Sequence, residues 1–289
     1  MHLSNQFSVS LLCKISQIDR SNYYKWLNSY KPNKYKDYDD NLKNIFEESY
    51  KTYGYRRLHI AMKTFGFNQN EKFLRARMKA LNLKCEIRIS KKNVKVINSD
   101  TYNKNPNYLN QKFKPEKPNK YFSQDITYLP TKSGMVYLNV ILDLYGNRPV
   151  VCLSSYSCNS KLAEDSLDLL KNKNKNLRNK IIHNDQGVTY LSKKYIEKVI
   201  SYKMIRSNSR RGYPYDNACS EHFFSDFKTE KYYRLGYMPE NKEEVDEIVN
   251  EYIDFYLNKR ISLSLNGLTP NQYYDNYIQT QKRLAKKAC

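Results

Sequence analysis

The chain has 289 residues and carries 50 Lys and Arg against 29 Asp and Glu, a formal net charge of +21. That length can form a sizeable core in two domains, with room for a small third piece. The six cysteines include no CxxC pair and, with the four histidines, match no zinc-binding pattern, which argues against a disulfide-rich scaffold or a zinc module. No signal peptide or apolar run of membrane-spanning length is present, so we expect a cytoplasmic protein without a membrane partner.

The positive charge is concentrated in the first part of the chain. Residues 1–120 carry 25 Lys and Arg against 10 Asp and Glu, a net of +15, whereas the remaining residues have a net of +6. Such an excess is expected of a region that binds a polyanion. The same composition also fits a Lys-rich solvated surface, so charge alone leaves both interpretations open.

The first predicted elements are two short helices within residues 7–28. Ser8 or Ser10 can cap the first helix, and Asp19 or Ser21 can cap the second. This pattern is typical of a small helix-turn-helix, although a helix hairpin that serves only for packing has the same pattern.

A longer helical region ends near residue 82. After Tyr53-Gly54-Tyr55-Arg56-Arg57, apolar residues recur at i, i+3, i+4 and i+7 from Leu58 to Phe65, which predicts a helix. A turn follows, and Asn70 can cap the next helix. The inner face of that helix carries Leu74, Met78 and Leu81, and its outer face carries Lys72, Arg75, Arg77 and Lys79. A helix, a turn and a second helix with a basic outer face predict a helix-turn-helix that binds DNA.

The pattern changes after residue 120. Residues 88–120 are rich in Lys, Asn and Pro without an apolar period, which predicts a basic linker. Three strands are then predicted at 122–129, 135–143 and 149–157, and the turns at Gly134 and Gly146-Asn147 favour an antiparallel meander. Helices and strands alternate beyond it: helix 160–171, strand 180–184, helix 192–202, strand 204–207, and helices 217–233 and 242–258.

Three acids lie on or beside these elements. Asp125 lies within the first strand, Asp185 directly follows strand 180–184, and Glu221 lies on helix 217–233, with 35 residues between the last two acids. Carboxylates that converge repel one another by about 4 kcal/mol at 4 Å and an effective dielectric near 20. Oxygen ligands of this kind are those that Mg²⁺ prefers. The three acids suggest a metal site acting on phosphates, although each acid taken alone is better explained as a cap, turn or surface residue.

Sequence blocks around these acids carry a family resemblance. The blocks are Asp125-Ile126-Thr127-Tyr128, Leu142-Asp143-Leu144-Tyr145, His183-Asn184-Asp185-Gln186-Gly187, Ser209-Arg210-Arg211-Gly212, Tyr215-Asp216-Asn217-Ala218 and Lys228-Thr229-Glu230. Because these blocks occur in this order, the chain resembles the OrfB-type transposases of insertion sequences of family three. These belong to the DDE transposase and retroviral integrase superfamily. Two features depart from the family: Tyr121-Phe122 stands where a Trp is common, and Lys259-Arg260 is not followed by a His.

The resemblance implies an α/β fold with an RNase H-like catalytic core, a mixed five-stranded sheet flanked by helices. An all-α helix-turn-helix region would precede this core. The implied limits are 1–87 for the helical DNA-binding region, 88–120 for the basic linker, 121–275 for the core and 276–289 for a basic C-terminal tail.

The resemblance also implies roles for the acids and for basic residues. Asp125 would bridge two Mg²⁺ or Mn²⁺ ions, Asp185 would hold one of them, and Glu221 would hold the other. Lys228, two helical turns beyond Glu221, would contact the DNA end. The other expected DNA contacts are Arg56, Arg57, Lys72, Arg75, Lys79, Arg210 and Arg211.

Neighbours of the acids have separate predictions. Asp143 ends an apolar strand and is interpreted as a structural residue near the site. Asp216 and Asn217 are expected to cap the helix of Glu221. His183 is interpreted either as a residue that supports the metal ligands or as a hydrogen-bonded core histidine.

The function implied by the resemblance is transposition. The protein would nick the ends of its insertion sequence and join the 3′ hydroxyls to DNA by transesterification. It would self-associate in a synaptic complex on the nucleoid and work with an OrfA product, as a fusion or as a partner. Two alternatives stay open at this point: an RNase H-type structure-selective nuclease without strand transfer, and a catalytically inert DNA-binding regulator.

Overall fold

A computed structural model describes residues 7–29, 34–86, 106–109, 114–210 and 214–288. The helices before the sheet are α1 (Val9–Ser16), α2 (Arg20–Ser29), α3 (Lys36–Glu48), α4 (Tyr55–Thr64) and α5 (Glu71–Ala80). The sheet and its first helices are β1 (Tyr121–Thr131), β2 (Gly134–Asp143), β3 (Arg148–Ser155), α6 (Ser160–Lys173), β4 (Ile181–Asn184), α7 (Val188–Leu191), α8 (Lys193–Ser201) and β5 (Ile205–Asn208). The last helices are α9 (Ala218–Glu230), α10 (Lys242–Asn258) and α11 (Pro270–Ala288).

The five strands form one mixed sheet in the order β3-β2-β1-β4-β5. β1, β2 and β3 pair antiparallel, while β4 is parallel to both β1 and β5. Helices cover both faces: α9 and α10 share a hydrophobic cluster with one face, and α6 and α8 share a second cluster with the other. The predicted RNase H-like arrangement is therefore confirmed.

The second predicted helix-turn-helix, the one with the basic outer face, corresponds to α4 and α5. Asn70 caps α5, since its Oδ1 accepts from the backbone N–H of Phe73 at 2.9 Å. Leu74 and Met78 are buried as the apolar period predicted. Arg77 does not lie on the exposed basic face: its Nε donates to Oδ1 of the buried Asp39 on α3 at 2.9 Å.

The N-terminal helices pack against the sheet domain. Residues of α3, α4 and α5 belong to the same hydrophobic cluster as α9 and α10. The Tyr53 hydroxyl donates to the Lys259 carbonyl at 3.1 Å and accepts from the Ile261 N–H at 2.7 Å. The region 1–87 and the core 121–275 therefore share apolar packing in their described parts, and their limits stay predictions.

Two segments differ from the simple picture of a linker and a tail. Within the linker prediction, Leu109 is buried and its N–H donates to Ser207 Oγ of β5 at 3.2 Å. At the other end, α11 continues across the predicted boundary at 275/276, and Tyr145 stacks on Tyr273 at 4.8 Å between ring centroids. Within the described ranges, no helix combines the length and apolar character needed to cross a membrane.

Candidate active site

Asp125 lies in β1, just beyond the point where β1 and β4 stop pairing. β1 pairs with β4 only as far as Ser123, which lies opposite His183, so Asp125 and Asp185 each come two residues beyond this last pair. Neighbouring strands are about 4.8 Å apart, and residues two apart point to the same face. The parallel register therefore brings the first two predicted acids side by side.

Hydrogen bonds fix the carboxyl group of Asp125. Its Oδ1 accepts from the backbone N–H of Ile126 at 2.8 Å. Its Oδ2 accepts from Asn217 Nδ2 at 3.0 Å. Both donors stabilise the ionised form of the acid.

Asp185 occupies a tight turn after β4. Its Oδ1 accepts from the Gly187 N–H at 2.8 Å. A Cβ atom at position 187 would lie only 2.9 Å from that oxygen, so a side chain there would displace the carboxylate of Asp185 from this position. The backbone carbonyl of Asp185 accepts from Asn208 Nδ2 at 2.9 Å, which attaches the turn to the end of β5.

Glu221 lies in the first turn of α9 and is exposed. A 3-10 turn, Pro214–Asn217, leads into this helix. The predicted cap is wrong for Asn217: its side chain makes no capping hydrogen bond and bonds to Asp125 instead. Within this turn, Asp216 accepts hydrogen bonds from the backbone N–H and the guanidinium of Arg210.

The electrostatics of the acids are unfavourable without a cation. Burial, followed by the negative charge of Asp185, raises the pKa of Asp125 to about 7, and Glu221 adds a smaller effect in the same direction. Burial raises the pKa of Glu221, which nearby His222 partly offsets. Among the described residues, no Lys or Arg forms an ion pair with any of the three acids.

This donor set fits a divalent metal, because its carboxylate oxygens are hard ligands with uncompensated charge. In the part of the chain that the structure describes, no three His, Cys, Asp or Glu side chains lie close enough to share one ion. The charge of Asp185 acts on Asp125 more strongly than that of Glu221. The structure thus brings the two aspartates together, and a three-acid cage stays a prediction.

Lys228 lies on α9 two turns beyond Glu221. Its Nζ lies 4.6 Å from the centroid of the exposed Tyr128 ring, in a cation–π contact. Partial burial lowers the pKa of Lys228. Tyr128 is on the strand of Asp125, so the lysine lies near the strand that carries the first acid.

Two neighbours of the acids have structural contacts. Asp143 accepts from the N–H groups of Asn119 and Tyr145 at 2.8 and 3.0 Å, consistent with its interpretation as a strand-end residue. Burial raises the pKa of Asp143 to about 6. His183 bonds to Ser207 and Ser209 and is fully buried, which matches the core-histidine interpretation. Burial lowers the pKa of His183 to about 4.

Four of the residues predicted to contact DNA form an exposed set on α4 and α5. Arg56 and Arg75 both approach the Tyr55 ring, with guanidinium carbons 5.5 and 5.1 Å from its centroid. Lys72 and Lys79 are exposed on the same helix as Arg75. We call Arg56, Lys72, Arg75 and Lys79 the basic face.

The remaining predicted DNA contacts have internal partners or lie outside the described residues. Arg57 forms an ion pair with Glu230 at 3.9 Å, which joins α4 to α9. Arg210 is paired with Asp216 at 3.0 Å. Arg211 lies outside the described residues. Contacts of these arginines with DNA stay predictions.

Sequence reasoning missed several residues of the site. Tyr190 is buried, and its hydroxyl has no hydrogen-bond partner among the described atoms. Burial raises the pKa of Tyr190, and the charges of Asp125 and Asp185 act in the same direction. Ser123 and Ser220 are buried and bond to each other at 2.7 Å. No local pattern marks these three side chains, because the residues that surround them in the fold lie far away in the chain.

Three protein-family models match separate parts of the chain. An HTH-like domain matches residues 34–91, and two integrase core domain models match residues 115–214 and 221–278. The first core match contains Asp125 and Asp185, and the second begins at Glu221.

The relatives are insertion-sequence proteins. A putative transposase, InsK, of insertion sequence element IS150 from Escherichia coli K12 is 32% identical over 267 residues, covering 91% of this chain and 92% of its own. The transposase InsF of insertion sequence IS3A from the same strain is 29% identical, covering 93% and 94%. Among solved structures, the HTLV-2 integrase catalytic core domain in complex with magnesium has 16% identity and a TM-score of 0.41, covering 55% of this chain and 98% of its own.

Proposed function

The chain belongs to the insertion-sequence transposases of the DDE type, and we propose that Asp125, Asp185 and Glu221 are its catalytic acids. The observation that carries this proposal is the pair Asp125–Asp185: two acids side by side beyond the last β1–β4 pair, with no basic partner among the described residues. Glu221 follows on α9, whose Ser220 is hydrogen-bonded to Ser123 of β1.

The reaction would proceed in two displacements at phosphorus. In the first, water attacks the scissile phosphodiester, and the bond to the 3′ oxygen breaks to release a 3′ hydroxyl. In the second, this hydroxyl attacks another phosphodiester, so one phosphate ester bond forms as another breaks. Two Mg²⁺ or Mn²⁺ ions held by the three acids would supply activation of the attacking oxygen and stabilisation of the leaving oxygen. Lys228 would hold a phosphate of the DNA end near the acids.

The basic face would supply much of the affinity for duplex DNA. Its four side chains are exposed, and none of them forms an ion pair with an acid among the described residues. Lys and Arg that contact phosphates release counterions, which makes binding steeply dependent on salt. Arg57, Arg210 and Arg211 are proposed as further contacts near the core.

The working form would contain more than this one chain. We propose self-association in a synaptic complex, because transposition must bring two DNA ends together. A fusion or complex with an OrfA product, and a cytoplasmic location on the nucleoid, are proposed from the family resemblance. The nuclease and inert-regulator alternatives are not favoured, since the relatives are named as transposases.

Strand transfer on a labelled insertion-sequence end tests the proposal. The wild-type protein with Mg²⁺ should give nicked ends and joined products. Asp185→Asn should abolish both while leaving DNA binding nearly intact. Asp165→Asn is the matched control, because Asp165 lies on α6 in an exposed i,i+4 pair with Lys161. Nicking without joining would favour the nuclease, and nicking by Asp185→Asn would refute the assignment.

A further inference from the structure

A short chain of hydrogen bonds joins the strand of Asp125 to the helix of Glu221. Asn217 Nδ2 donates to Asp125 Oδ2 at 3.0 Å, and Ser123 Oγ donates to Asn217 Oδ1 at 3.3 Å. Ser123 Oγ lies 2.7 Å from the hydroxyl of Ser220, the residue directly before Glu221. We call the set Asp125, Asn217, Ser123 and Ser220 the Asn217 bridge.

Three of the four side chains of the Asn217 bridge are buried, which restricts their choice of hydrogen-bond partners. Ser123, Ser220 and Asn217 are 2%, 2% and 7% exposed. A buried polar group without a partner costs about 1–3 kcal/mol, so these contacts are not readily exchanged for others. The network also defines the orientation of the Asn217 amide, because the reverse orientation would place its oxygen against the carboxylate of Asp125.

The amide supports the carboxylate without occupying all of its acceptor sites. A carboxylate has about four lone-pair positions, and Asn217 takes one of those on Oδ2. Outer partners of this kind orient metal-binding carboxylates in proteins. The same asparagine ends the turn that leads into α9, so one side chain acts on both the first and the third acid.

We propose that Asn217 is the positioning residue of the site. It holds the carboxyl group of Asp125 in one orientation and keeps the start of α9, and with it Glu221, against β1. This inference rests on the proposed function, since it assigns Asn217 a role toward the metal that the acids would bind.

Mn²⁺ titration by calorimetry on the full chain, without DNA, tests the inference. Asn217→Ala should weaken Mn²⁺ binding by about 10–100-fold, the effect of losing an outer partner of a metal ligand. Asn139→Ala is the control: Asn139 is fully buried on β2 and its amide bonds to the Leu162 carbonyl, not to an acid. It should lower the melting temperature while leaving Mn²⁺ affinity close to that of the wild type.

Two further variants separate the possible failures. Asp125→Asn should lose Mn²⁺ binding, and wild-type binding in that variant would overturn the proposed function itself. Ser123→Ala should weaken Mn²⁺ binding less than Asn217→Ala does. If Asn217→Ala does not fold, Ser123→Ala alone tests whether the Asn217 bridge supports Mn²⁺ binding. Loss of binding in Asp125→Asn together with wild-type affinity in the folded variants at Asn217 and Ser123 would overturn only the present inference.

Discussion

Asp125→Asn should stabilise the metal-free protein at alkaline pH. Burial and the charge of Asp185 raise the pKa of Asp125 from 3.8 to about 7 in the folded protein. A carboxyl group with a higher pKa in the folded protein binds protons more tightly there than in the unfolded chain. Stability is therefore greatest below the unfolded pKa and falls as pH rises through about 4 to 7. Asparagine does not titrate and avoids this loss.

The size of the effect follows from the same shift. About three pKa units correspond to roughly 4 kcal/mol at 1.36 kcal/mol per unit. The variant loses the hydrogen bond that Asn217 donates, which costs about 1 kcal/mol. The net gain in unfolding free energy should be about 3 kcal/mol at pH 8.5. It should be much smaller at pH 5, where the folded wild type already carries a protonated Asp125.

Urea unfolding in EDTA at pH 5 and pH 8.5 measures this difference. The wild type, Asp125→Asn and the surface control Asp165→Asn should be compared at both pH values. We expect the advantage of Asp125→Asn to grow with pH and the control to show no such trend. An advantage that is the same at both pH values would refute the unfavourable electrostatics assigned to the two aspartates.

Three other variants test separate parts of the structure. Lys228→Ala should weaken capture of the DNA end by about 1–3 kcal/mol, the range for hydrogen bonds to charged groups, and Mn²⁺ binding should survive when measured by calorimetry. Replacing Lys72, Arg75 and Lys79 by Ala should flatten the slope of log affinity against log salt by about 0.9 for each lost phosphate contact. Arg260→Met should lower the unfolding free energy by about 3–5 kcal/mol, because it removes the closest cation from the buried Glu230, whose other ion-pair partner, Arg57, is 3.9 Å away.

Matched controls make these outcomes decisive. Lys193→Ala on α8 removes an exposed lysine whose nearest acid, Glu197, is 3.8 Å away. It should not change DNA capture, and the same behaviour in Lys228→Ala would make that lysine an ordinary surface residue. An unchanged salt slope in the triple variant would move the DNA contacts away from the basic face. Unchanged stability in Arg260→Met would show that its ion pairs contribute little.

The sequence predicted most elements, because their patterns are local. Helix α10 has the predicted bounds, 242–258, and the meander of β1 to β3 follows from apolar runs separated by Gly turns. The apolar stripe with Leu74 and Met78 identified the inner face of α5. Periodicity requires only neighbouring residues, so a single sequence contains this information.

Side-chain partners far apart in the chain were not predictable in this way. Arg77 lies beside the apolar stripe of α5, yet its contact with Asp39 depends on how α3 packs. Asn217 has the residue type and place of a helix cap, but β1 offers it a carboxylate and a serine hydroxyl. The polar sequence after residue 275 resembles a tail, whereas α11 continues through it and its tyrosines pack on Tyr145.

We propose that Asp125, Asp185 and Glu221 together hold the catalytic metal. Anomalous diffraction from crystals grown with Mn²⁺ and a DNA end tests it most directly. We expect Mn²⁺ peaks contacted by the carboxyl oxygens of Asp125 and Asp185, with Glu221 moved in to complete the set. Mn²⁺ bound elsewhere, or bound at the aspartates with Glu221 left exposed and apart, would contradict the three-acid assignment.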